Sequence, residues 1–300
     1  MKYIYFPGCS LRSTGRAYEE SMLAVFRALE IPLEELTDWN CCGATSYVSI
    51  DETKAFVLAA RNLALAELQS DNGSVDIVAP CSACFLVLTK TQHYLNNYPD
   101  INEKVESAMS QAGLHYQGKA RVRHPLDVLV NDYGLDKIAK RVRRPLKGLK
   151  IASYYGCQVV RPFHTFDHSH YPESMDRLMS AIGAQPVDWP LKTRCCGGSL
   201  TGTIQEAGLR LNRLLLKEAH ARDADVVATC CPLCQHNLEC YQGRINRIYD
   251  ETIDMPVAYF TQLLGASLGL AERELGMHRL FKEIPLNHSA REKGAMANVW

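Results

Sequence analysis

Ten cysteines in this chain fall into two sets with the same internal order. The first set is Cys9, Cys41, Cys42, Cys81 and Cys84, with 31, 0, 38 and 2 residues between successive members. The second is Cys157, Cys195, Cys196, Cys231 and Cys234, with gaps of 37, 0, 34 and 2. Cys230 and Cys240 fall outside both sets. Five thiolates exceed the four ligands of a tetrahedral zinc ion. Gathered in one place, their charge calls for several metal ions to offset it. Iron–sulfur centres are the usual multinuclear thiolate sites. An adjacent Cys-Cys pair does not easily close on itself as a disulfide, but it can bridge neighbouring metal ions. Glycines beside the cysteines (Gly8, Gly43, Gly156, Gly197 and Gly198) leave room for the backbone to approach an inorganic core. The competing reading of ten cysteines as buried structural thiols does not account for their repetition in register.

The elements that must position these residues also come twice. YIYFPGCS (3–10) and IASYYGCQ (151–158) are short β-rich runs ending near Gly-Cys. LEELTDWNCCGA (33–44) and PVDWPLKTRCCGG (186–198) each carry a tryptophan shortly before Cys-Cys-Gly. DIVAPCSACFLVL (76–88) and DVVATCCPLCQHNL (225–238) are strand-like runs leading into Cys-x-x-Cys, and HPLDVLV (124–130) corresponds in position to AYFTQLL (258–264). Between them, 53–69 and 206–220 place apolar residues at three- and four-residue steps, predicting helices. Strands alternating with helices predict an α/β fold of two similar parallel-sheet halves related by internal duplication, a pseudo-twofold. The expected division is an N-terminal domain over 1–147, a C-terminal domain over 148–286 and a loose tail over 287–300. Cysteines that follow strand ends lie where open parallel sheets gather their binding loops. The basic stretch 137–150 marks the seam, either as a solvated connection or as a docking patch.

Composition narrows the function further. The chain has 300 residues, 47% hydrophobic and 22% charged, with 33 basic and 33 acidic side chains. Zero net charge speaks against a nucleic-acid binder relying on a strongly basic surface. The start lacks the apolar core of a signal peptide, and no apolar run reaches the ~20 residues of a membrane span. A cytoplasmic chain follows, where structural disulfides are rare and cysteines serve as metal ligands. No G-x-G-x-x-G opens a helix after a strand, so nicotinamide or flavin binding in this chain is not expected. There is no C-x2-C-x2-C-x3-C-P run of the ferredoxin type either. Electrons must therefore arrive from another protein.

The arrangement C-x31-CC-x38-CxxC followed by C-x37-CC-x34-CxxC, each CC followed by Gly, resembles the duplicated cysteine-rich CCG domain. The words FPGCS, DWNCCGA, YYGCQVVRP and CPLC are most similar to the B subunit of heterodisulfide reductase. The likeness covers roughly 1–270; gaps of 38 and 34 before CxxC, where the family usually has 35 or 36, bear on loop length and not on ligation. The resemblance implies that each half binds one noncubane [4Fe-4S] cluster through its five cysteines. It implies a small or protein-bound disulfide, cleaved or formed between the two clusters, each handling one electron. It also implies electrons from the iron–sulfur C subunit, in turn supplied by the flavoprotein A subunit. An alternative within the same family is a non-catalytic electron-transfer subunit of a quinone- or dehydrogenase-linked complex. A structural zinc protein is the third reading.

Other residues carry lesser expectations. The segment RPFHTFDHSHYPE (161–173) offers Arg161, His164, His168 and His170 just after Cys157, as proton donors or as partners for an anionic substrate tail. Arg161 and His164 are the catalytic candidates, Arg161 because GCxxxRP belongs to the family's pattern; a solvated loop is the plain alternative. His236 is expected either to bond a cluster sulfur or to pack. His124 reads as structural, and Trp39 and Trp189 as shields of the clusters against water.

Overall fold

The computed structural model describes residues 3–44, 46–70 and 75–286; the expected tail over 287–300 lies outside them. Two four-stranded parallel sheets form the frame. The first has the order β2-β1-β3-β4, from β1 (Tyr3–Tyr5), β2 (Leu33–Glu35), β3 (Val75–Val78) and β4 (Ala120–Arg123). The second repeats it as β6-β5-β7-β8, from β5 (Lys150–Tyr154), β6 (Gln185–Pro186), β7 (Val226–Thr229) and β8 (Val257–Tyr259). The α/β duplication expected from the sequence is thus present. Central strands β1, β3 and β7 are buried along their whole length, as strands covered by helices on both faces must be. The outer strands β2 and β6 are short and partly exposed, and β6 carries Pro186 at a sheet edge, where a missing N–H does least harm.

The helical period in 53–69 and 206–220 appears as the helices Glu52–Gln69 and Gln205–Ala221. Asp51 caps the first by accepting the Lys54 N–H. The basic seam is not a free connection. Leu135–Arg141 forms a helix with Ile138 buried, and the Arg143 and Arg144 N–H groups both donate to the Ser267 carbonyl.

The halves exchange helices reciprocally. Arg16–Ala28, which follows β1, packs on Phe260–Ser267, which follows β8; Leu135–Arg141, which follows β4, packs on Ser174–Ala181, which follows β5. Two related contacts of this kind are what a pseudo-twofold interface requires. The Ser21 and Thr261 hydroxyls bond across the first contact at 2.6 Å while fully buried. One apolar cluster runs without a break from Tyr3 to Leu268 through both halves.

Candidate metal centre

Strand order decides where the cysteines meet. In an order of 2-1-3-4 the connections leaving β1 and β3 diverge, opening a crevice at the carboxyl ends of those strands. Cys9 lies in the turn of helix Gly8–Leu11 after β1, and Cys41-Cys42 in the loop after β2. Cys81 is the N-cap of helix Ser82–Asn97 after β3, with Cys84 one turn on. The second sheet repeats this with Cys157 after β5, Cys195-Cys196 after β6, and Cys231 as N-cap of helix Pro232–Cys240.

In the first set the Cys42 and Cys84 sulfurs are 3.1 Å apart and those of Cys41 and Cys9 are 4.0 Å apart. In the second, Cys196 and Cys234 are 3.5 Å apart, and the Cys157 and Cys195 thiols influence each other's ionisation. Two sulfurs on one tetrahedral metal at ~2.3 Å stand roughly 3.8 Å from each other, so these separations suit shared ions. The Gly43 and Gly197 N–H groups donate to Cys41 and Cys195 at 3.5 and 3.3 Å. Cys42, Cys81, Cys84, Cys196, Cys231 and Cys234 are buried, Cys157 and Cys195 half-buried, and Cys9 and Cys41 exposed. Among the described residues, no three Cys, His, Asp or Glu side chains close on a point that would hold a single ion.

The two sets touch. Ser82, next to Cys81, donates its hydroxyl to the carbonyl of Cys230, next to Cys231, at 3.3 Å, and the Cys81 and Cys231 thiols influence each other's ionisation. The protons in this sulfur-rich space are shared. Hydrogen bonds from Cys41 and Cys84 hold Cys42 far below the usual thiol range, and those from Cys231 and Cys84 do the same for Cys81. Cys84 is pushed far up by its bonds to those two thiolates. In the second set, bonds from Cys157 and Cys196 bring Cys195 down to about 2, while Cys157 is driven up. Lowered thiols thus sit among raised ones, Cys42 and Cys81 in the first set and Cys195 in the second, and metal would displace the remaining protons.

Gly8 and Gly156 show why each set opens on Gly-Cys. Their φ angles are +66° and +70°, and a Cβ on either would stand 3.0 Å from the Cys84 sulfur or 3.1 Å from that of Cys234. Only glycine fits both demands. Ten soft donors, room at the backbone and protons ready to leave suit iron–sulfur centres, in which these cysteines would be the ligands.

Arg161 and His164 line an open cleft of ≈ 620 Å³ with Cys157, Gln158, Pro162, Ser169 and His170. Arg161 donates to the Thr193 carbonyl, and its charge favours the Cys195 thiolate. His168 instead orders its own loop, its Nδ1 accepting from the His170 and Tyr171 N–H groups. His236 pairs with Cys240 at 3.3 Å and stands edge-on to the Tyr241 ring. The two tryptophans are not equivalent: Trp189 is buried and donates to the Ser153 carbonyl, whereas Trp39 is only half-buried, edge-on to Phe6. His124 is structural, as expected: fully buried, with both ring nitrogens engaged by the Pro80 carbonyl and the Leu126 N–H.

Asn237 is a site residue that sequence reasoning missed. It donates to the Cys196 sulfur at 3.4 Å and to the Gly198 carbonyl at 2.9 Å, and accepts from Thr201 at 2.8 Å. Its place three residues after Cys234, on the same helix face, was the available signal.

Residues 3–89 and 151–239 match the family described as CCG, cysteine-rich domain. The chain is 31% identical over 279 residues to the 8-methylmenaquinol:fumarate reductase membrane anchor subunit of Wolinella succinogenes, covering 92% of this chain and 95% of that one. It is 29% identical over 283 residues to the B subunit of the ferredoxin/F(420)H(2)-dependent CoB-CoM heterodisulfide reductase of Methanosarcina acetivorans, covering 93% of each. A protein of Archaeoglobus profundus, described as like the B subunit of heterodisulfide reductase, is 29% identical over 276 residues, covering 90% of this chain and 91% of that one. Among solved structures, the crystal structure of a hypothetical protein from Helicobacter pylori superposes with a TM-score of 0.76 at 15% identity. It shares the fold over 95% of this chain, which spans about half (53%) of that longer one.

Proposed function

Because this chain belongs to the CCG cysteine-rich domain family, we propose that it is the iron–sulfur subunit of a heterodisulfide reductase-like complex, reductively cleaving or forming a disulfide. In this reading 1–147 and 148–286 are two CCG domains, each holding one noncubane [4Fe-4S] cluster. Cys9, Cys41, Cys42, Cys81 and Cys84 hold the first, and Cys157, Cys195, Cys196, Cys231 and Cys234 the second. When bound, the clusters supply one-electron steps. The overall change takes one disulfide, two electrons and two protons to two thiols. The iron–sulfur C subunit delivers the electrons, drawn from the flavoprotein A subunit, since this chain carries no dinucleotide fingerprint.

The single observation that carries this reading is the Ser82–Cys230 hydrogen bond, which brings Cys81 of one set and Cys231 of the other to one junction. The two sulfurs of a disulfide are only about 2 Å apart, so two centres acting on one substrate must converge in this way. Arg161, at the cleft beside Cys157, holds an anionic substituent of the substrate, and His164 on the same wall supplies a proton.

A second reading is favoured by the Wolinella relative, whose name joins a quinol to fumarate reductase. There this chain passes electrons between a quinol and a dehydrogenase partner without touching a disulfide. Among the described residues no helix is long and apolar enough to cross a membrane.

The test is turnover by anaerobically purified protein with a reduced viologen dye as electron source. We expect about eight irons per chain from two four-iron clusters, reduction of at least one disulfide in a chemically broad panel, and at least tenfold slower turnover in Arg161→Ala. One or two zinc ions with little iron would reject the iron–sulfur reading. Full iron, no disulfide reduced and oxidation of a quinol would favour the second reading.

A further inference from the structure

Two stacked aromatic pairs flank the junction, related by the pseudo-twofold. Tyr18 and Tyr259 stack with ring centroids 4.5 Å apart and planes 5° from parallel; Phe166 and His124 stack at 6.1 Å and 5°. Tyr18 lies nine residues after Cys9, and Phe166 nine after Cys157. Tyr259 pairs with Thr229, two residues before Cys231. His124 follows Arg123, the partner of Val78, and so lies opposite Ala79, two residues before Cys81.

The pairs differ in their polar atoms. His124 has both nitrogens bonded, and Phe166 has none to satisfy. The Tyr18 and Tyr259 hydroxyls are fully buried, yet neither has a hydrogen-bond partner. Buried hydroxyls almost always find partners, and leaving one without costs stability. The charges that reach these two are mostly those of thiols: both feel Cys81 and Cys231, Tyr18 also Cys230, and Tyr259 also Glu239 and Cys234. Tyr18 is also anchored to the Cys231 loop. Gly15, three residues earlier, lies so close to Pro232 that an added Cβ would stand 2.9 Å from the proline ring.

We propose that the Tyr18 and Tyr259 hydroxyls donate hydrogen bonds to the sulfur atoms of the iron–sulfur centres held at Cys81 and Cys231, raising their reduction potential. The inference rests on the iron–sulfur reading above. A donor to sulfur stabilises the more electron-rich form, so its loss makes the centre harder to reduce. Placing the unpartnered pair on one side of the axis makes the two centres unequal, which the near-identical ligand sets do not.

The test uses Tyr18→Phe, Tyr259→Phe and the double variant of the full chain, loaded anaerobically and titrated by electron paramagnetic resonance. Each single variant should shift at least one signal about tenfold toward the oxidised form, ~59 mV for a one-electron couple, with iron content unchanged. The double variant should shift it further. The metal-free double variant should be no less stable than its parent, because only unpartnered hydroxyls are removed. Should the double variant lose iron, the single variants decide, each keeping one donor. Unaltered potentials in fully loaded single variants would overturn the proposal. A parent chain that takes up no iron would instead refute the iron–sulfur reading, a separable result.

Discussion

A neutral imidazole ties the junction to pH. Burial pushes His124 down to about 4, against the pull of its bond to the Pro80 carbonyl. In the unfolded chain the ring titrates near 6.5, so between those values the unfolded chain binds the extra proton. The contribution is complete above pH 6.5 and is lost as pH falls toward 4. By pH 4.5 the loss amounts to roughly 2–3 kcal/mol. Urea unfolding of the metal-free chain at pH 7.5 and 4.5 should show this loss, and His124→Phe should lack it; equal pH slopes would contradict the assignment. Gly156 gives a second residue-scale prediction. Gly156→Ala should cost about 1–2 kcal/mol for the left-handed backbone and press on the Cys234 sulfur, halving the iron content. Retention of full iron would contradict the close fit. Residue chemistry was legible in the sequence where types and spacing sufficed, as for the Gly-Cys steps. Asn237 was not read, because its three-residue step from Cys234 singles it out from Gln235 and His236 only once the helix fixes which face meets Cys196.

At the scale of elements, long periodic runs and the βα order could be read directly, whereas the shortest pieces could not. β2 has three residues and β6 two, and both exist as strands only because a neighbour pairs with them. The stretch after His124 has a helical pattern, yet Val128–Gly134 opens into a wide π-type turn. Nor could local sequence show that Arg16–Ala28 packs on Phe260–Ser267 from the other half. The Ser21–Thr261 bond tests that contact. Ser21→Ala alone leaves the Thr261 hydroxyl buried and unpaired and should cost about 1–3 kcal/mol. Adding Thr261→Val should recover much of the loss, giving a coupling of about 0.5–3 kcal/mol in a double-mutant cycle. Additive costs would mean that the two hydroxyls do not depend on each other.

Over the whole molecule, separate ligand sets sit on a joined core. The apolar cluster from Tyr3 to Leu268 predicts one cooperative unfolding transition for the full chain, which calorimetry can check against two resolved steps. Cys42→Ser or Cys196→Ser should nevertheless remove one centre and leave the other, because each replaces a ligand of one set only. The central proposal is that both centres address one substrate at the Cys81–Cys231 junction. Its most direct test is to titrate the loaded chain with a substrate disulfide while following both paramagnetic signals. One equivalent should perturb both together; a panel of disulfides that perturbs neither, in protein with its full iron, would contradict a shared site.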